Sequence, residues 1–448
     1  MLRAVTDDDS AARDLLGEEA RALLTRLHRI KPFALQEPML PAAALSPAAQ
    51  VAIERHLVHG RRDLRAHIED FLAWLEGSVA RRAAPRDLQR RFVQLRLRFN
   101  VVLSQFDLFS DAIAQRSEHE TGVWLAGLDV VASDALRLPG SYFESPPIVC
   151  YLDRGPGGAI RRARTRLPGG GSNPVALIRV PRERMIGSGI ASSLAHEVGH
   201  QGATLLELLA SLRPALAGMQ TTEANAPIWA LWECWIGEVV ADLWAVARVG
   251  VASTLGLIGV VSLPRSFVFH VDPGDPHPVP WIRVKLSCTI GQALYPHPQW
   301  ERLARLWDSF YPLDASTSRL VPLLDDLQAS LPALVDLLLE HRPPLLAGRT
   351  LGEALSGPER HPDALARLHR EWRTDSSALR RTPPSLAFAV VGQARADGEM
   401  TPEEESQLLA DLLTAWALEG AMARGREHSH RTRSPGFSDQ LHSQGEMS

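Results

Sequence analysis

Apolar residues recur at helical spacing through the first third of the chain. Runs at 20–27, 68–75 and 92–99 set Leu, Ile, Phe and Ala every three to four positions among Arg and Glu, the pattern of amphipathic helices. Residues 1–140 are therefore expected to form an all-helical domain. The texture changes at Pro139 and Gly140. Two short runs follow, 148–152 (IVCYL) and 175–180 (VALIRV), and they predict strands flanking a glycine-rich, flexible hairpin connection. Helical periodicity returns over 187–212 and 227–249. A third strand-like run, 266–271 (SFVFHV), then enters the proline-rich loop DPGDPHPVP.

Beyond residue 300 the chain reads as helical again, Leu-rich around 320–340, with a turn at 341–344 and a compact helical segment at 384–424. The last stretch, 425–448, has no apolar periodicity and is expected to be disordered. The fold class that follows is α+β and predominantly helical. The divisions are 1–140, a mixed domain at 141–300 holding a small sheet, a helical region at 301–380, a helical module at 381–424 and the tail.

Composition narrows the setting. The 448 residues carry a net charge of -4, and Lys occurs only at Lys31 and Lys285, so no basic patch argues for nucleic acid. Cys150, Cys234 and Cys288 are odd in number and widely spaced, which suggests neither a disulfide framework nor a cysteine-ligated zinc. The acidic N-terminal sequence lacks the apolar core of a secretory signal. The apolar run at 251–264 is shorter than the ~20 residues a spanning helix requires. A cytoplasmic location without membrane insertion is expected.

The chemistry concentrates at AHEVGH, residues 195–200. His196 and His200 are four apart and share a helix face, so both imidazoles can meet one zinc ion, while Glu197 is rotated toward the side where water would attack. A third ligand must come from elsewhere. Glu207 lies on the same helix and cannot reach back; Glu223, Glu233 and Glu238 remain. Glu238 stands apart because it opens EVVAD, which puts Asp242 one turn further on the same face, suited to accept the Nδ1 hydrogen bond of a ligating histidine.

HEVGH followed 38 residues later by EVVAD resembles the gluzincin zinc metallopeptidases, the thermolysin-like group. The metzincin pattern is not met, since Ala203 and Leu206 stand where it needs Gly and His. A further element, His277-Pro278 with Arg283 five residues on, is similar to the HPxxxxR element of the Ste24/HtpX-like peptidases, although no transmembrane segments surround it. The resemblance spans roughly residues 145–290. It implies a gluzincin-like sheet and HExxH helix, one zinc per chain, Glu197 as general base, His277 as hydrogen-bond donor to the oxyanion and Arg283 as a charged hold on substrate. His270 is the other oxyanion candidate. The resemblance also implies that 175–180 is the edge strand that receives an extended peptide, entered at Asn173-Pro174.

The activity so implied is zinc-dependent hydrolysis of peptide bonds in an intracellular bacterial protein, with further protein partners on the flanking helical domains. Two other functions fit less of the pattern: a catalytically silent zinc-containing scaffold, which would have no need of Glu197, and a zinc hydrolase of a non-peptide amide.

Weaker signals have plainer readings. The glycines at 155–158 and 169–171 lack the Gly-Lys-Ser/Thr of a phosphate loop. The stretch 394–408 resembles TerB-like helical modules and part of an EF-hand, but Gln393 and Arg395 cannot complete a calcium cage. A capping box of Thr401, Pro402 and Glu404 accounts for it. Trp229, Trp232, Trp235 and Trp244 are expected to build core behind the metal site, Gly199 to permit close packing beneath it, and His428 and His430 to be solvated.

Overall fold

The computed structural model describes residues 7–153, 158–167, 171–182, 185–223, 225–272, 274–315 and 317–433. Helices α1 (Asp7–Arg29), α2 (Pro47–Glu76), α3 (Ser78–Arg81) and α4 (Pro85–Ala114) open the chain, followed by α5 (His119–Leu136). The apolar stripes of α1, α2 and α4 meet along Leu23, Leu27, Leu64, Ile68, Phe92 and Phe99 to close a helical bundle, whereas Leu125, Leu128 and Val131 of α5 belong to the main core. At 30 residues each, α2 and α4 are about 45 Å long, and they outrun that bundle. Their other halves lay Ile53, Leu57, Phe109 and Ile113 on one face of the sheet, against Val149, Tyr151, Val175 and Leu177.

The sheet has strands β1 (Ile148–Asp153), β2 (Ala159–Arg161) and β3 (Ala176–Pro181), in the order β1-β3-β2. β1 pairs with β3 in parallel and β2 pairs with β3 antiparallel. Here the structure corrects the expected edge strand. β3 lies in the middle, covered on both faces, as its continuous apolar run requires. Both β1 and β2 are edges: the β1 backbone at Cys150 and Leu152 is bonded by Gln115, Arg116 and Asp129, whereas the outer edge of β2, three residues within the stretch read as a mere connection, meets no strand among the described residues; residues 154–157 and 168–170 of that stretch lie outside them.

The opposite sheet face, with Cys150, Leu152, Ile178 and Val180, joins the main core. That core is built by α6 (Ser188–Leu205), α7 (Leu208–Gly218), α8 (Ala226–Val249), α9 (Val251–Val261), α10 (Arg265–Val268), α11 (Pro280–Leu294), α12 (Pro298–Phe310), α13 (Val321–Glu340), α14 (Leu351–Leu355), α15 (Pro362–Thr374), α16 (Ser376–Arg381), α17 (Pro384–Ala396) and α18 (Pro402–Arg433). The protein is thus an α+β fold dominated by helix. In α17 every residue from Ser385 to Ala394 is buried, and Leu386, Phe388 and Val390 share one apolar cluster with Val198 of α6 and Trp244 of α8.

Three local expectations change. The run at 187–212 is two helices, because Glu207 takes a left-handed conformation, φ 54°, between α6 and α7. The run at 266–271 is no strand: Pro264 presets a helical turn, whose Val268 and Phe269 amides donate to the Pro264 and Arg265 carbonyls. Its aromatic and β-branched composition is overridden by packing, Val268 being fully buried while Phe267 is exposed. Helix α18 continues to Arg433, so the first part of the expected disordered tail is helical, and the side chains of His428 and His430 lie outside the described ones. Among the described residues no helix is long and apolar enough to cross a membrane.

Candidate metal centre

Helix α6 begins without a side-chain cap of its own, behind Gly187 at φ 139°. The Ser188 amide instead donates to Glu405 Oε1 of α18 at 2.5 Å, and Arg395 Nε holds the other carboxylate oxygen at 2.9 Å. A carboxylate at this end satisfies an orphan donor and suits the helix dipole. Further along, α6 crosses α8 with almost no gap. A Cβ on Gly199 would stand 2.8 Å from Trp244 Cβ and 2.9 Å from Ala241 Cα, and one on Gly202 would enter the Trp244 ring. Only glycine allows this approach, and the approach brings Glu238 to the histidines.

The imidazole rings of His196 and His200 lie 4.8 Å apart, nearly perpendicular. Glu238 Oε2 is 3.2 Å from His196 Nε2, and Oε1 is 3.3 Å from His200 Nε2. The two contacts use different oxygens of the carboxylate, and with one donor atom taken from each residue the three lie within 4.8 Å of one another, near enough for their side chains to converge on a single metal ion. Among the described residues, this is the one group of three whose donor atoms gather closely enough to hold a metal.

His196 Nδ1 donates to Asp242 Oδ1 at 2.8 Å, which leaves Nε2 to face Glu238. Arg283 of α11 donates through Nε to Asp242 Oδ2 at 2.7 Å, and through Nη2 to Asp242 Oδ1 at 2.9 Å and Glu238 Oε2 at 3.2 Å. The expected hold on substrate is thus a guanidinium buried among protein carboxylates.

Charge in the cluster follows from these contacts. Burial disfavours the His196 imidazolium, but the hydrogen bonds and charge of Asp242 and Glu238 outweigh it and raise its pKa to about 9. Burial likewise opposes the Asp242 carboxylate, yet Arg283 and His196 prevail and lower it to about 2. Glu238 is held well below the usual carboxylate range, its own burial being outweighed by the two histidines. Glu197 goes the other way. It is buried, and burial raises its pKa despite the opposing histidines, with no hydrogen-bond donor to it among the described residues.

Glu197 Oε1 faces the backbone of Gly158, just before β2; a Cβ there would lie 3.1 Å away. His277 also reaches the cluster, its Nε2 3.4 Å from Glu238 Oε2. Asp275 Oδ1 accepts from both the His277 amide and Nδ1, at 2.9 and 2.7 Å, and the Asp275 carbonyl is tied to Trp235 Nε1 of α8. His270 is exposed on the turn after α10, and no hydrogen bond or ion pair among the described residues joins it to the cluster.

Sequence reasoning did not single out Asp275, Gly158, Gly202 or Glu405. The spacing Asp-x-His at 275–277 was a readable signal for the first; the others depend on contacts between distant segments. The expected tryptophan core is present, with Trp232, Trp235 and Trp244 fully buried. The capping box is also present, the Thr401 amide donating to Glu404 and the Glu404 amide to Thr401.

Compared with known proteins, the chain matches no protein-family model, no curated protein and no solved structure.

Proposed function

We propose that the protein is a zinc-dependent peptidase. The observation that carries this reading is the placement of Glu197, a buried carboxylate that belongs to no ligand set, between the metal-binding group and the edge of a sheet. His196, His200 and Glu238 would hold the ion. A zinc ion bound there supplies a Lewis acid that polarises a carbonyl and brings the pKa of water down to about 7. Glu197, raised by burial, takes the proton of the attacking water and returns it to the leaving amine. His277, with Nδ1 committed to Asp275, presents Nε2 toward the same position, where its proton can meet the developing oxyanion.

Arg283 acts in this reading through Asp242 and Glu238, fixing the carboxylate ligand and the acid that orients His196 rather than touching substrate. The short strand β2, whose outer edge pairs with no strand among the described residues and which follows Gly158 beside Glu197, supports an extended polypeptide over a small amide, because main-chain pairing is what such an edge offers. An intracellular setting belongs to the same reading and rests on the wide spacing of the cysteines, with Cys150 and Cys288 buried in separate elements.

The test begins with metal. Purified protein should contain close to one zinc per chain, and His196→Ala should abolish it. Zinc-loaded protein should then cleave unfolded polypeptides, while Glu197→Gln retains zinc and loses at least about a hundredfold in rate. Wild-type protein that takes up no zinc, or a Glu197→Gln variant as fast as wild type, would overturn the proposal.

A further inference from the structure

The segment leading out of the free edge strand runs alongside the helix that carries the metal ligands. Gly158 faces Glu197. The Ala163 amide donates to Gln201 Oε1 at 2.7 Å, and Arg162 Nη1 donates to Thr204 Oγ1 at 3.1 Å. Positions 196, 200 and 204 are each four apart, so Thr204 continues the face of α6 that bears both histidines. Thr204 Oγ1 in turn donates to the His200 carbonyl at 2.9 Å. The Arg162 guanidinium is therefore pinned about one helical turn, ~6 Å, beyond His200.

The support beneath Arg162 is rigid. Ala163 and Gln201 are wholly buried. Asn173 Nδ2 donates to the carbonyls of Arg161 and Arg162 at 2.9 and 3.2 Å. Asn173, expected to mark the peptide's entry, thus holds the backbone of the edge segment in place. Arg162 itself is half-buried, and among the described residues no carboxylate pairs with it. Its neighbour Arg164, by contrast, bonds Glu144, and Arg283 bonds two acids. A guanidinium has five donors in a planar fork, and the bond to the Thr204 hydroxyl uses one of them. Exposed Arg161 and Arg166 on the same segment add positive field of the same sign.

We propose that Arg162 makes this site selective for polypeptides bearing a carboxylate a few residues from the bond to be cut. The inference rests on the peptidase reading above. A carboxylate matches the guanidinium fork in charge and geometry, and it can come from an Asp or Glu side chain or from the chain's own C-terminus. Arg162 is a specificity residue here, acting away from the reacting atoms.

The experiment uses the full-length zinc-loaded protein and a positional library of end-blocked peptides that differ only in Glu against Gln at each position, with a second set differing in a free or amidated C-terminus. Wild type should favour the acid at one position by about tenfold or more in kcat/KM. Arg162→Gln should bring that ratio to about one, and Arg162→Glu should invert it in favour of Gln; a bracing role for Arg162 would alter rates without changing the ratio. The set that shows the preference identifies the source of the carboxylate.

A wild-type ratio near one, or a ratio unchanged in Arg162→Gln protein of normal melting temperature and zinc content, would overturn the proposal. Should Arg162→Gln fail to fold, Arg162→Lys, which keeps charge but loses the fork, should show an intermediate ratio. Calorimetric binding of the same peptides to zinc-loaded Glu197→Gln protein separates the two readings. Selective binding without wild-type cleavage removes the peptidase reading alone, and equal binding of acid and amide removes the carboxylate preference.

Discussion

Arg283 donates to both oxygens of Asp242 and to Glu238, and His196 lies against both acids. Four buried charges compensate one another, and removing one leaves the others unpaired. Arg283→Gln is expected to leave the backbone intact and weaken zinc binding by about 10–100-fold, read by competition against a chromogenic chelator. Protonation at this cluster also has a definite sign. His196 is raised from 6.5 to about 9, so in chelator-stripped protein its stabilising contribution is full below pH 6.5 and is lost as pH rises through about 9. Asp242 is lowered from 3.8 to about 2; its contribution is present above pH 3.8 and is lost as pH falls through about 2. Stripped protein should therefore melt highest between about pH 4 and 6.5. Zinc must displace the His196 proton, so its affinity should rise with pH up to about 9, and titration calorimetry in buffers of different ionisation enthalpy should record proton release at neutral pH.

His196, Glu197 and His200 were legible in the sequence because a helix makes four-residue spacing a local geometric fact. Glu238 and Asp242 were legible for the same reason, one helix later. Arg283 could be named, but its partners could not, because they lie across three elements that only the tertiary fold brings together. At the scale of elements, what decides the site is the crossing of α6 and α8, and that crossing depends on two glycines. Gly199→Ala and Gly202→Ala should each cost about 1–3 kcal/mol through overpacking against Trp244. Each should also weaken zinc binding, because Glu238 moves with α8; thermal melts with and without zinc would measure both. At the start of α6, Glu405→Ala removes a cap supplied from outside the helix. A loss of about 0.5–2 kcal/mol is expected, with faster amide exchange confined to the first turn. Sequence offered no sign of this contact: Glu405 reads there as one more acid in the first turn of α18.

Across the whole molecule, the strand-like composition of 266–271 misled because propensity at a chain turn yields to burial, and the edge strand was misassigned because order within a sheet is a long-range property. The helical character of the flanking regions was readable from periodicity; their attachment was not. Phe388 and Val390 of α17 lie in the apolar cluster that holds Val198, Trp232 and Trp244. A fragment of residues 141–300 would expose that surface. It should lack a cooperative melt and fail to retain zinc, whereas the full-length protein should melt cooperatively and retain it; calorimetry on both would decide.

The contact between Glu405 and Ser188 links positions 217 apart. In the order of synthesis, His196, His200, Glu238, Asp242 and Arg283 have all left the ribosome while α17 and α18 are still to be made. A nascent chain at that stage carries every residue of the candidate metal centre, yet α6 has neither its cap nor the buried helix that packs against it. The candidate metal centre therefore takes its final packing late in synthesis, when α17 and α18 reach α6, long after the residues that compose it have been made.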